Sequence, residues 1–237
     1  YSYSIFRWGL ILSIIVFLVI KSLHLLFPHT SVASSDIIVN SGIKTFDKIY
    51  EPSGVQSLLD GRLVVIEDEA SQALHVLDIK QDGSFKENKR LTQKLMKSFN
   101  TKLNDLEGVT LGPDGYIYAI TSHQRNLSGE RSSDREQLIR FKIEGNRIID
   151  VGSYGKLTDD IEQSGILGEV DEQGNGGIVN INIESLCFDR EGNLLIGFRA
   201  PLNSEKTIVG VLENPTDIFE YKAKPIISPQ PLLLDLF

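Results

Sequence analysis

Thiol chemistry is nearly absent from this chain, whose 237 residues hold a single cysteine, Cys187. One cysteine excludes an intrachain disulfide and any metal centre built on several thiolates. Cys187 stands in the apolar run Ser185 to Phe188, which predicts a small buried hydrophobe. Positive charge is also short: 24 Lys and Arg face 32 Asp and Glu, for a formal net charge of −8. No basic stripe occurs, which excludes the usual electrostatic footprint of a nucleic-acid binder. The short cluster Lys86 to Arg90 reads as a solvated hairpin or loop. The acidic balance favours cations over anions as ligands. Several catalytic signatures are missing too. There is no Gly-x-Ser-x-Gly elbow, no Walker-type phosphate loop and no His-Glu-x-x-His pair.

What the chain does have is a three-fold internal echo. Gly54-Val55, Gly108-Val109 and Ser185-Leu186 each open a short apolar run. An acidic-Gly turn follows at the same seven-residue offset: Asp60-Gly61, Asp114-Gly115 and Glu191-Gly192. A second apolar strand comes next, at Leu63 to Ile66, Tyr116 to Ile120 and Leu194 to Ile196. A third is predicted at Leu74 to Ile79, Leu138 to Ile143 and Ile208 to Leu212, and in the middle copy a fourth at Arg147 to Val151. Four antiparallel strands joined by hairpins make one blade of a β-propeller. The fold class expected is therefore all-β, a β-propeller of about three blades. Propellers usually close with four to eight blades. The chain also starts at Tyr1 and stops in an apolar run at Phe237, so a fragment of a larger ring is expected. Leu91 to Asn100 fits either a weak helix or an outer loop. Thr158 to Gly177 reads as a loop inserted between blades.

Ahead of the repeats, residues 1–7 form a short flank with Arg7, and Trp8 to Phe27 is an apolar stretch of bilayer-spanning length. It is read as an uncleaved transmembrane signal anchor. The alternative is a cleaved signal peptide ending at Ser31-Val32-Ala33. Residues 28–36 form a linker and residues 37–237 the globular part. Either reading makes the membrane a partner through the N-terminal helix. It also puts the globular part on the periplasmic or extracellular side.

In a propeller the residue before the innermost strand and the residue ending the second strand both border the channel mouth. In the middle copy these are Glu107 with Ser122 and His123, in the third Glu184 and Arg199, and in the first Glu51 or Ser53 with Asp68. Asp68, Ser122 and Arg199 all lie seven residues past their turn glycine. Glu107 and Glu184 each follow an Asp or Asn by two residues, a set of oxygen donors suited to a hard cation such as Ca²⁺. They can equally split acid and base roles, or serve only as structural partners, for instance of Arg199. His123 is a candidate base or metal ligand, with an exposed loop histidine as the plainer alternative. Arg199 is a candidate anion clamp. The run Ser122 to Arg135, with Arg125, Arg131 and Arg135, is a candidate anion-binding loop or a solvated one.

Four motifs occur in order: Asp105-Leu106-Glu107-Gly108-Val109, Thr121-Ser122-His123 with Arg135 to Phe141, Asn182 to Leu186, and Gly197 to Leu202. Together they resemble the bacterial domain-of-unknown-function family numbered 3616, over Gly54 to Glu213. Ser185 and Gln124 stand where that pattern favours small residues, Gly at the first. The resemblance implies a propeller-like fold and further sequence after Phe237, and it carries no catalytic assignments. More distantly, the Glu-Gly motif is similar to that of phytase-like esterases and Ca²⁺-dependent lactonase propellers. The functional expectation is an exported binding or scaffold module, with a metal-assisted phosphoester or lactone hydrolase as the alternative.

Overall fold

The computed structural model describes residues 49–68, 72–167, 180–203 and 205–235. The expected membrane helix at 8–27, the linker and the cleavage motif lie outside them. Among the described residues no helix is long and apolar enough to cross a membrane.

Twelve strands form three four-stranded sheets among the described residues. The first holds β1 (Pro52–Ser57), β2 (Leu63–Glu67), β3 (Leu74–Ile79) and β4 (Phe85–Glu87). The second holds β5 (Leu106–Leu111), β6 (Ile117–Thr121), β7 (Leu138–Glu144) and β8 (Arg147–Tyr154). The third holds β9 (Asn182–Phe188), β10 (Leu194–Asn203), β11 (Lys206–Leu212) and β12 (Leu232–Asp235). In each, consecutive strands pair antiparallel, in sequence order. The hairpins between first and second strands close on Gly61, Gly115 and Gly192, with φ of 86°, 77° and 89°. That left-handed region favours glycine. The third turn takes its carboxylate from Asp189 rather than Glu191: Asp189 accepts from Asn193 N–H at 2.8 Å.

The first strands stand side by side, β1 against β5 and β5 against β9, a propeller-like arrangement of blades. The period-2 alternation of β6 then divides the core. Ile117 and Ala119 join Val64, Ile66, Val76 and Phe141 between the first two sheets. Tyr118 and Ile120 join Leu138, Ile183, Leu194, Ile196 and Phe198 between the second and third. A middle sheet buried on both faces reads as a continuous apolar run, as Ile117 to Ile120 does.

Three helices fill the connections. The ambiguous stretch after β4 is helical, α1 (Lys89–Ser98): Asn88 Oδ1 accepts Leu91 N–H at 3.1 Å, and Leu91 and Leu95 bury one face. Residues 86–90 are thus the end of β4 and the start of a capped helix, not a simple loop. The expected insertion loop opens with α2 (Leu157–Ser164), which buries Leu157 and Ile161 and stops at left-handed Gly165. The short α3 (Pro215–Glu220) leads toward β12. Cys187 is exposed, contrary to expectation. On β9 it is Leu186 that points inward, so its neighbours Ser185 and Cys187 point out.

The leading small residues of the echo now have a cause. A Cβ on Gly54 would come within 3.0 Å of Val109 Cγ1, and one on Gly108 within 2.8 Å of Leu186 Cβ and 2.9 Å of Leu186 N. Each residue is the seat of the next blade's first strand. Ser185, at the corresponding place in the third copy, is exposed and tolerates a side chain. Gly108→Ala should therefore cost about 2 kcal/mol, since a backbone nitrogen cannot rotate away. Urea unfolding measures it, and an unchanged midpoint would contradict this packing of β5 on β9.

Candidate functional site

Every first strand carries a bulge at the same place. On β1 the pairing passes from Pro52↔Glu67 to Gly54↔Ile66 and leaves Ser53 unmatched. On β5 it passes from Leu106↔Thr121 to Gly108↔Ile120 and leaves Glu107. On β9 it passes from Ile183↔Phe198 to Ser185↔Gly197 and leaves Glu184. A second irregularity, between Phe198 and Ala200, leaves Arg199 unmatched on β10. Bulges bend the strand and re-aim the extra side chain. Ser53, Glu107 and Glu184 are thus equivalent residues turned out of the ladder.

Backbone hydrogen bonds step from one sheet to the next at this level. Asp105 N–H donates to Asp68 O at 3.0 Å, and Ile183 N–H donates to Ser122 O at 2.8 Å. Within the second sheet Ser122 N–H donates to Asp105 O at 2.8 Å. Asp105 holds a left-handed φ of 66°, sparsely populated for a non-glycine residue. It is held there by these bonds and by its side chain, which accepts from Ser122 Oγ and from Arg135 Nη2.

The result is a knot of carboxylates. Oxygens of Asp68, Asp105 and Glu107 lie within 4.8 Å of one another. Glu184 stands close enough to raise the proton affinity of Glu107, and it is paired with Arg199 Nη1 at 3.2 Å. Asn182 donates Nδ2 to Glu184 Oε1 at 3.1 Å, while its own Oδ1 is buried with no hydrogen-bond partner. So Asp68, Ser122, Glu107, Glu184 and Arg199 converge. Asp105 completes the group. It was legible only as the acidic residue two before Glu107, and its part in joining two blades needed the register.

Like charges this close cannot all stay ionised. For Asp68, the hydrogen bond to Asp105, then burial and the charges of Asp105 and Glu51, push the carboxyl up to about 7. For Glu107, burial and then the charges of Glu184, Asp105 and Asp68 push it up to about 8. Burial alone would also raise Asp105. Hydrogen bonds from Asp68, Ser122 and Arg135 outweigh it and hold this carboxyl below its ordinary range. Near neutral pH the knot therefore keeps protons where it has no cation. Its donors are carboxylate and carboxamide oxygens, the set a hard divalent ion takes. These residues fit such an ion.

His123 is drawn elsewhere. It follows Ser122 just past β6 at a left-handed φ of 56°, is only 1% exposed, and places Nδ1 2.8 Å from Thr158 Oγ1 on α2. Burial and then the charge of Arg131 lower it to about 3, so the imidazole is neutral. It is a buried histidine and not the exposed loop residue of the plainer expectation. The arginines of the Ser122 to Arg135 loop are also committed. Arg131 holds Glu136 at 2.6 Å and Asp159 at 2.5 Å, Arg135 holds Asp105, and Arg125 donates to Gly129 O. Anion recognition by this loop is not supported. A cavity of about 620 Å³ lies away from the knot, beside α2. Its Tyr154 and Lys224 are already bonded to Asp160 and Gln163.

No family model matches the chain, and no curated protein matches it. Among solved structures it is similar to a luciferin-regenerating enzyme, at 12% identity and a TM-score of 0.35, over 77% of this chain and 44% of that one. It is similar to virginiamycin B lyase from Staphylococcus aureus at 12% identity and 0.37, over 75% and 40%. It is also similar to PorZ, a surface component of the type-IX secretion system of Porphyromonas gingivalis, at 12% and 0.41, over 82% and 24%. The chain thus spans less than half the length of each of these structures.

The raised carboxyls set a pH dependence. Asp68 and Glu107 bind protons more tightly folded than unfolded, so their contribution to stability is full below the ordinary carboxylate range. It is lost as pH rises through about 7 and about 8. In chelator, the urea midpoint should fall between about pH 5 and about pH 9, and fall less in Glu107→Gln. A wild-type midpoint that climbs over that window, or an unaltered slope in the variant, would contradict the assignment.

Proposed function

We propose that this chain supplies blades of an exported β-propeller of the 3616 kind and that its mouth binds ligands through a hard divalent cation, Ca²⁺ first. In this reading the helix at 8–27 anchors the protein in a membrane, and further blades complete the ring. The observation that carries the cation site is the convergence of Asp68, Asp105 and Glu107 from two sheets, with oxygens within 4.8 Å. Asn182 Oδ1, buried and unpartnered beside Glu184, supports it independently. Asp68 and Glu107 are the ligands proposed to exchange protons for the ion. Asp105, tied to Ser122 and Arg135, holds the two strands in position and offers its remaining lone pairs.

A binding module is the first reading of what the mouth does. Metal-assisted hydrolysis of a phosphoester or lactone is the second, favoured by the unequal proton affinities of the carboxyls. A bound divalent cation supplies polarisation of the scissile group's oxygen. Arg199 is the exposed cation at the rim of the mouth.

Calorimetric titration of the chelator-treated protein with Ca²⁺ at about pH 8 tests the site. Saturable binding with proton release is expected, weakened at least about tenfold in Glu107→Gln and in Asp68→Asn. No heat in the wild type, or equal affinity in both variants, would refute it. Turnover of nitrophenyl esters, phosphates or lactones that disappears in Glu107→Gln would select the hydrolase over the module.

A further inference from the structure

This inference rests on the cation reading and deepens it by naming the ligand class that the loaded mouth accepts. The charges can be counted group by group. Asp105 is matched by Arg135 and Glu184 by Arg199, so neither arginine is left over for a ligand. Asp68 and Glu107 have no ion pair among the described residues, and a divalent cation cancels that pair of charges. Glu51 remains, a further negative charge beside Asp68. The loaded mouth is therefore net negative, and an anion is repelled from it.

The groups that a ligand can address at the rim are acceptors. Glu184 Oε1 takes Asn182 Nδ2 at 3.1 Å and Arg199 Nη1 at 3.2 Å, while its Oε2 has no partner among the described residues. The Glu184 side chain is 36% exposed, so the carboxylate can be reached from solvent. Asn182 Oδ1, on a residue only 7% exposed, is a second acceptor without a partner. A bare acceptor inside a fold is costly, and only a donor satisfies it. Glu184 stands outside the group of oxygens within 4.8 Å of one another, and Asn182 is bonded to Glu184, so both belong to the rim and not to the ion's own shell. The ion asks for the opposite group. Asp105 Oδ2 is committed to Ser122 and Arg135. Asp68 and Glu107 then offer two oxygens each and Asp105 one, fewer than the about six to eight that Ca²⁺ takes. Neutral oxygens complete the shell.

We propose that the loaded mouth takes a neutral polyol, a sugar-like ligand held by two adjacent hydroxyls. Each hydroxyl gives a lone pair to the ion and an O–H to a rim acceptor, Glu184 Oε2 or Asn182 Oδ1. The ligand brings no charge, so neither Glu51 nor the ion opposes it. Two hydroxyls on one carbon frame replace two waters for the loss of one molecule's free motion. A carbonyl ligand satisfies the ion and leaves both acceptors bare. An ammonium satisfies the acceptors and is repelled by the ion.

The test uses the full chain at about pH 8, loaded with Ca²⁺ or treated with chelator, and three probes on one ring: cis-1,2-cyclohexanediol, cyclohexanone and cyclohexylammonium. Saturation-transfer NMR should rank the diol at least about tenfold tighter than the other two, and only with Ca²⁺ present. At saturating Ca²⁺, Glu184→Ala should weaken the diol about tenfold, because a hydrogen bond to a charged acceptor is lost. Glu184→Gln, which keeps an acceptor without the charge, should fall between. Calorimetry reads Ca²⁺ uptake separately in each protein. No diol binding, either other probe binding as tightly, diol binding that persists in chelator, or diol binding indifferent to both variants overturns the proposal while the cation site stands. Failure of the wild type to take up Ca²⁺ overturns both.

Discussion

The close approach of successive first strands governs this molecule. β1, β5 and β9 lie so close that a Cβ on Gly54 would press on Val109 Cγ1 and one on Gly108 on the backbone nitrogen of Leu186, and a glycine at both places is the condition for it. Backbone hydrogen bonds lock the step, from Asp105 to Asp68 and from Ile183 to Ser122. At such separation Asp68, Asp105 and Glu107, at the ends of neighbouring strands, meet one another. The acidic knot follows from that constraint.

A repeated packing device has become a chemical one by change of residue type. The same bulge position holds Ser53, Glu107 and Glu184 in the three copies. In the first copy the hydroxyl of Ser53 bonds to Leu106 O, which is a structural use. In the other two a longer side chain ends in a carboxylate: Glu107 reaches a space already holding Asp68 and Asp105, and Glu184 stands close enough to raise the proton affinity of Glu107. Arg135 and Arg199 neutralise part of the charge from outside. The remainder is held by protons or, on the reading advanced above, by a cation.

Much of this was visible in the sequence because the repeat carries two independent landmarks, a small residue and a turn glycine. They located β2, β6 and β3 within a residue or two and the start of β10, which runs on to Asn203 past the expected Ile196, and they matched Asp68, Ser122 and Arg199 as equivalent positions, the last inside β10 rather than at a strand end. Period-2 alternation, however, says nothing about which face is covered. Cys187 therefore looked buried, although only Leu186 has a strand to pack on. His123 looked exposed because a loop was expected around it, whereas Thr158 on α2 comes back over it. α1 and the start of α2 were hidden by short length: each buries one face of two or three turns, too little for a clear periodic signal. Bulges leave no mark in a single sequence. That Glu107 and Glu184 are the extra residues of their strands is a fact of register alone.

Crystals of the protein soaked in Ca²⁺ or Tb³⁺ and measured for anomalous scattering give the most direct answer. A peak about 2.3–2.6 Å from oxygens of Asp68, Asp105 and Glu107 is expected. A fully occupied ion elsewhere, or an empty knot at saturating Ca²⁺ and about pH 8, would contradict it.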